Sequence, residues 1–208
     1  MADVELCLAE LSAQERYFLL AGLVVPRPIA WVSTVSAAGQ ANIAPHSFFN
    51  AVSTDPPIVY FASTRNSRHD PAGLKDTLRN IRDTKEFVIN VVSRDLLEPM
   101  NMTAIECPPE IDEFTLAGLA KAASLVVRPP RVRNAKAVME CRLRQMLTMG
   151  DATMIFGDVL HVGISDSVWV GGRVDISRLQ PVGRLAGSEY ALVNQVCRLA
   201  RPIWHDAA

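Results

Sequence analysis

Between Met139 and Met149 the chain alternates. Odd positions read Met139, Cys141, Leu143, Gln145, Leu147 and Met149, while Glu140, Arg142 and Arg144 fill even positions of the same stretch. A repeat of two sends successive side chains to opposite faces of a strand, so one face is expected in the core and the charged face in water. Gly150-Asp151 turns the chain, and Thr153 to Ile164 is expected to pair back as a second long strand. Shorter apolar runs predict strands at Ile29–Val35, Ile58–Ser63 and Phe87–Val92. Ala37-Ala38-Gly39-Gln40 reads as a turn, after which Ala41 to Phe49 returns, interrupted at Pro45, where proline marks an edge or a bulge. Thr54-Asp55-Pro56-Pro57 is a further turn.

Helical patterns are fewer. Residues 10–20 are expected to form a short helix, with Ser12 as N-cap and Glu15 completing a capping box. Others are expected over Thr77–Asp83, Arg94–Ile105 and, more weakly, Phe114–Ser124. Many strands with a few interposed helices predict a mainly β fold, a closed antiparallel barrel with helical excursions; a sandwich is the alternative. At 208 residues, and with no Gly/Ser/Pro-rich linker, the chain is expected to be a single domain, 1–208.

Charge narrows the function. Against 21 basic residues stand 22 acidic ones, so the basic footprint of a nucleic-acid binder is missing. No apolar run approaches the ~20 residues that span a bilayer, and the N-terminus has early acids and no basic n-region, which argues against a signal peptide. Cys7, Cys107, Cys141 and Cys197 form no CxxC pair; reduced thiols and a cytoplasmic location are expected, with Cys141 a small core residue.

Three polar patches are candidates for chemistry. Trp31-Val32-Ser33-Thr34 puts Ser33 at the end of an apolar stripe, where its hydroxyl needs a partner; a plain strand end before a turn is the simpler reading. Ser47-Phe48-Phe49-Asn50 brackets two aromatics with hydrogen-bonding side chains, which suits a heteroaromatic ring, although Asn50 and Ser53 could equally bond to local backbone. From Arg65 to Ile81 a hydroxyl-rich, basic loop enters a helix start. Free N–H groups there favour phosphate, Lys75 adds charge, Thr77 a hydroxyl, and Asp76 is a candidate cap. A solvated, capped helix is the alternative. His46, His69, His161 and His205 lack metal-ligand spacing, and no GxSxG, Cys/His pair or carboxylate pair is present, so neither a catalytic side chain nor a metal site is expected.

In order, PRPIAWVSTVSAAGQANIAPHSFFNAVSTDPP, KDTLRNI, FVINVVS and LQPVGRLAGSEYALV closely resemble the flavin reductase-like family, over roughly residues 20 to 195, leaving 196–208 as a tail. The resemblance implies a Greek-key split β-barrel of the FMN-binding type, usually a homodimer with FMN near the subunit interface. It makes Trp31 a cofactor-binding residue, places Ser33 and Thr34 near the phosphate and ribityl chain, and sets Ser47, Phe48, Phe49 and Asn50 along the isoalloxazine. Lys75, Asp76 and Thr77 would form the phosphate site with Asn80 nearby, and Gly183, Arg184 and Tyr190 would pack close to the flavin. Ala186 stands where the family usually has glycine, which matters if that position needs a positive φ. The implied activity is hydride transfer from NAD(P)H to flavin, possible partners including a monooxygenase. Without a GxGxxG fingerprint, the nicotinamide would stack directly on the flavin. The alternative is an FMN-binding electron carrier, like the flavoredoxins, that does not itself oxidise NAD(P)H.

Overall fold

All six residues of Ala30–Val35 are buried, so this strand must be covered on both faces. The computed structural model, which describes residues 3–64, 67 and 73–204, shows by what. Residues 65–66 and 68–72 of the expected phosphate loop, with His69 and His205, lie outside the described residues.

In chain order the structure has α1 (Ala13–Leu23), β1 (Arg27–Pro28), β2 (Ala30–Val35), β3 (Ala41–His46), β4 (Phe48–Thr54), β5 (Pro57–Thr64), α2 (Asp76–Thr84) and β6 (Glu86–Val91). Then come α3 (Leu97–Met102), α4 (Glu113–Leu116), β7 (Lys121–Ala122), β8 (Arg131–Val132), β9 (Ala137–Met149), β10 (Ala152–Ile164), β11 (Trp169–Val170), β12 (Arg173–Val174), α5 (Ile176–Leu179), β13 (Val182–Arg184) and β14 (Tyr190–Leu192). Seven strands form one sheet in the order β3-β2-β6-β9-β10-β5-β4, every neighbour antiparallel. The edges, β3 and β4, follow each other in the chain with only Ser47 between them. The sheet is therefore a Greek-key split barrel whose open seam is bridged by one residue.

Alternation along β2 divides two cores. Ala30 and Val32 join Val59, Phe61, Phe87, Ile89, Cys141 and Ile155 inside the barrel. Trp31 joins Ile43, Met100, Phe114 and Val182 outside, beneath α3 and α4. Leu78 and Ile81 of α2 plug the barrel end, each with no exposed surface. Fully burying one such side chain stabilises by ~1.5–3 kcal/mol. Phe87 fills the interior because position 157 is glycine: a Cβ there would lie 2.3 Å from the Phe87 ring.

Several expectations need correction. The Ala41–Phe49 run breaks at Ser47, not Pro45; β3 is an edge strand, where a residue without an N–H is tolerated. Glu140 does not face water. It has no exposed surface, because the backbone amides of Leu125 and Val126 and the guanidinium of Arg131 bond its carboxylate. Further along the hairpin Leu147 and Met149 are exposed instead. The Phe114–Ser124 helix ends by Leu116, just before Gly118 at φ +65°, and the Arg94–Ile105 helix is a 3-10 turn followed by α3. Ser12 does cap α1, which begins at Ala13: Glu15 N–H donates to its hydroxyl at 3.3 Å, and Glu15 accepts from Ser12 N–H at 2.8 Å. Among the described residues, no helix is long and apolar enough to cross a membrane.

Candidate functional site

Beside the seam, three depressions share walls. An inner cavity of about 210 Å³ is lined by Asn42 and His46 of β3, by Lys75, Asp76 and Thr77 at the start of α2, and by Thr103–Cys107 and Glu113. A mouth of about 180 Å³ shares Pro45 and Ala104 with it and adds Tyr17, Ser47, Met100, Arg184 and Tyr190. An outer cavity of about 290 Å³ shares Asn42, Asp76 and Glu113 and adds Asn80 and Arg79. The result is one groove, lined in the middle by the Lys75 ammonium, the hydroxyls of Thr77 and Thr103 and the carboxyl groups of Asp76, Glu106 and Glu113, and aromatic and arginine-lined at the mouth.

A buried hydrogen-bond chain shapes the inner cavity. Asn80 donates to the Thr34 hydroxyl at 3.0 Å, and the Thr34 and Thr77 hydroxyls each donate to Asn42 Oδ1 at 3.2 Å. Asn42 in turn donates to Glu113 Oε1 at 2.9 Å, while Ile43 N–H donates to Oε2 at 3.2 Å. Burial raises the Glu113 carboxyl above its ordinary range, against the pull of these bonds. Burial and Glu113 together push the Cys107 thiol to about 11, which keeps it from acting as a nucleophile near neutral pH.

Lys75 is the N-cap residue of α2, with no side-chain capping bond, and Asp76 is the first helical residue. Asp76 therefore does not cap; its carboxylate pairs with Arg79 one turn on. The first N–H groups of α2 and the half-buried Lys75 ammonium meet at the inner cavity, an arrangement suited to an anion. Burial holds the Lys75 pKa below its usual value, opposed by Glu106.

At the mouth, buried Arg27 ties distant segments together. Its guanidinium donates to the carbonyls of Ala21 (2.5 Å), Val24 (2.8 Å) and Leu185 (2.9 Å), reaches Ser47 Oγ at 3.5 Å, and lies 5.7 Å over the Phe48 ring. Arg184 sits 4.6 Å over the Tyr190 ring, and the Tyr190 hydroxyl donates to Asn101 Oδ1 at 2.9 Å, anchoring β14 to α3. Position 186 has no positive φ; Gly187 does (φ +53°), so alanine at 186 carries no backbone strain.

Of the residues singled out in the sequence, Lys75, Asp76, Thr77, Asn80, Ser47, Arg184 and Tyr190 line the groove. Thr34 stands behind it in the buried chain. Trp31 is fully buried and donates to the Thr103 hydroxyl at 2.8 Å; Ser33, also fully buried, donates to the Pro130 carbonyl at 2.5 Å. Phe48 and Phe49 are half-buried on β4, and exposed Asn50 accepts a local bond from Ala51 N–H at 2.8 Å. Sequence reasoning missed Asn42, His46 and Glu113. The first two had a signal: with Ala44 they occupy alternate positions of one strand, small or polar throughout.

A split barrel with a seam groove of this polarity suits an elongated ligand, anionic at one end and planar at the other. Residues 22–174 match the flavin reductase like domain, and the chain belongs to that family. It is 41% identical over 197 residues to an uncharacterized protein of Aquifex aeolicus, covering 94% of this chain and 99% of that one. The fold is similar to the crystal structure of nitrilotriacetate monooxygenase component B from Bacillus cereus (TM-score 0.90, 31% identity, covering 96% of this chain and 100% of that one). It is also similar to 2-nitrobenzoate 2-nitroreductase NbaA from Pseudomonas fluorescens (TM-score 0.88, 29% identity, covering 99% and 100%).

Proposed function

We propose that the groove holds FMN and that the protein is an NAD(P)H-dependent flavin reductase. The observation that carries this reading is the continuity of the inner cavity with the mouth, which puts an anion-binding helix start and an aromatic, arginine-lined opening in one groove. The residues present fit the cofactor: Lys75, Thr77 and the α2 amides toward the phosphate, Ser47, Arg184 and Tyr190 toward the ring. When bound, FMN supplies the hydride-accepting chemistry; the chain binds and orients it. Arg27 holds the seam at Ser47 in place, and Arg184, kept half-buried against Tyr190, would supply positive charge beside the ring-binding end of the groove. Nicotinamide would meet the ring from the mouth.

A homodimer belongs to this reading. Tyr17, Phe18, Leu20 and Leu23 of α1, with Val24, Val25 and Leu192, are all more than a third exposed in the single chain. So does a cytoplasmic location, with a monooxygenase as a partner that consumes reduced flavin. Anaerobic stopped-flow mixing of FMN-loaded protein with NADH, and separately with NADPH, tests the activity. Bleaching of the oxidised-flavin band faster than for free FMN is expected, and the faster nucleotide is the donor. If neither bleaches it faster, an FMN-binding electron carrier replaces the reductase.

A further inference from the structure

Among the described residues, one buried polar atom beside the groove has no partner. His46 is only 7% exposed, its Nε2 makes no hydrogen bond to any described residue, and it lines the inner cavity together with Lys75 and Thr77. The ring is fixed from behind by Phe61, whose centroid lies 4.8 Å away. Burial and the neighbouring Lys75 ammonium keep the imidazole neutral. A neutral ring in the Nε2–H tautomer can donate a hydrogen bond without adding charge, and an unmet buried donor destabilises the fold until a ligand meets it.

We propose that His46 is a ligand-contacting residue of the groove, its imidazole donating from Nε2 to an oxygen of a phosphate monoester bound beside Lys75. The inference rests on the FMN reading above and names a donor that the reading does not need. Lys75 gives the anion its countercharge, and His46 gives it direction.

The test compares wild type with His46→Phe, which keeps a ring against Phe61 but has no donor, and His46→Gln, which keeps a side-chain N–H. Fluorescence titrations with FMN and riboflavin read affinity; melting curves with and without inorganic phosphate read the anion contact alone. His46→Phe is expected to weaken FMN about tenfold, equivalent to about 1.4 kcal/mol, and riboflavin by less than about twofold. His46→Gln is expected to stay within about threefold of wild type for FMN. Without ligand, His46→Phe is expected to melt no lower than wild type, because a carbon replaces an unmet polar atom. Equal FMN affinity in wild type and His46→Phe, or equal losses for both flavins, overturns the proposal. If wild type binds neither flavin, the FMN reading fails, and phosphate decides the contact separately. A phosphate-induced rise in melting temperature seen in wild type and lost in His46→Phe keeps it; no such difference overturns it. Should His46→Phe not fold, the ¹⁵N resonance of the His46 ring in wild type carries the test, and an Nε2 signal unmoved by FMN overturns it.

Discussion

Asn42 donates its amide to Glu113 Oε1 at 2.9 Å across 71 residues of chain. The bond fastens the β3 edge of the barrel to the start of α4, and so sets the width of the inner cavity. Because Asn42 Oδ1 also takes the Thr34 and Thr77 hydroxyls, one side chain joins two strands and two helices.

Asn42→Ala should therefore be costly. It strips partners from two buried hydroxyls and a buried carboxylate, and losses of ~2–3 kcal/mol are expected. Urea denaturation checks it, with a lower midpoint and an unchanged slope.

Lys75→Ala is expected to weaken FMN by roughly tenfold, the low end for a bond to a charged group because Lys75 is half-exposed, while riboflavin changes little. Flavin fluorescence quenching with both ligands measures it, and equal losses would show that Lys75 does not touch phosphate.

Stability should fall as pH drops below about 6.5. Burial and Lys75 depress the His46 pKa from 6.5 to about 3, so between those values the unfolded chain holds a proton that the folded chain does not. Folding is then disfavoured by up to about 1.4 kcal/mol per pH unit toward acid. The slope of melting temperature against pH over pH 3 to 6.5 should be shallower in His46→Phe than in wild type.

Gly157→Ala is expected to destabilise by at least ~1–3 kcal/mol, the usual range for overpacking, because the new Cβ meets the Phe87 ring. Thermal denaturation of Gly157→Ala alone and combined with Phe87→Leu tests this; the second change should recover part of the loss.

Light scattering at dilute concentration should give the mass of a dimer, and Leu20→Asp with Leu23→Asp, on the exposed face of α1, should shift it toward monomer. Unchanged mass in the double variant would place the contact elsewhere.

What the sequence made legible was local. The Ser12/Glu15 box, the β9–β10 hairpin and the Lys75-Asp76-Thr77 helix start each depend on neighbours a few residues away, and each was readable within a residue or two. Glu140 was misread because its partners, the amides of Leu125 and Val126, are brought by a distant loop. Alternation says which residues share a face, not whether that face meets water. The same limit hid Asn42 and His46, whose neighbours come from α2, α4 and β5. Ser33 and Trp31 illustrate the converse: polar atoms near a candidate site whose needs are met inside the fold, by Pro130 and Thr103.

The groove also has an order of birth. Everything lining the inner cavity is present once Glu113 has left the ribosome, whereas the mouth awaits Arg184 and Tyr190. At ~5–20 residues per second that is a delay of several seconds. Over that interval the nascent chain carries the residues that line the inner cavity without Arg184 and Tyr190, so on the FMN reading the phosphate contacts are synthesised well before the ring contacts.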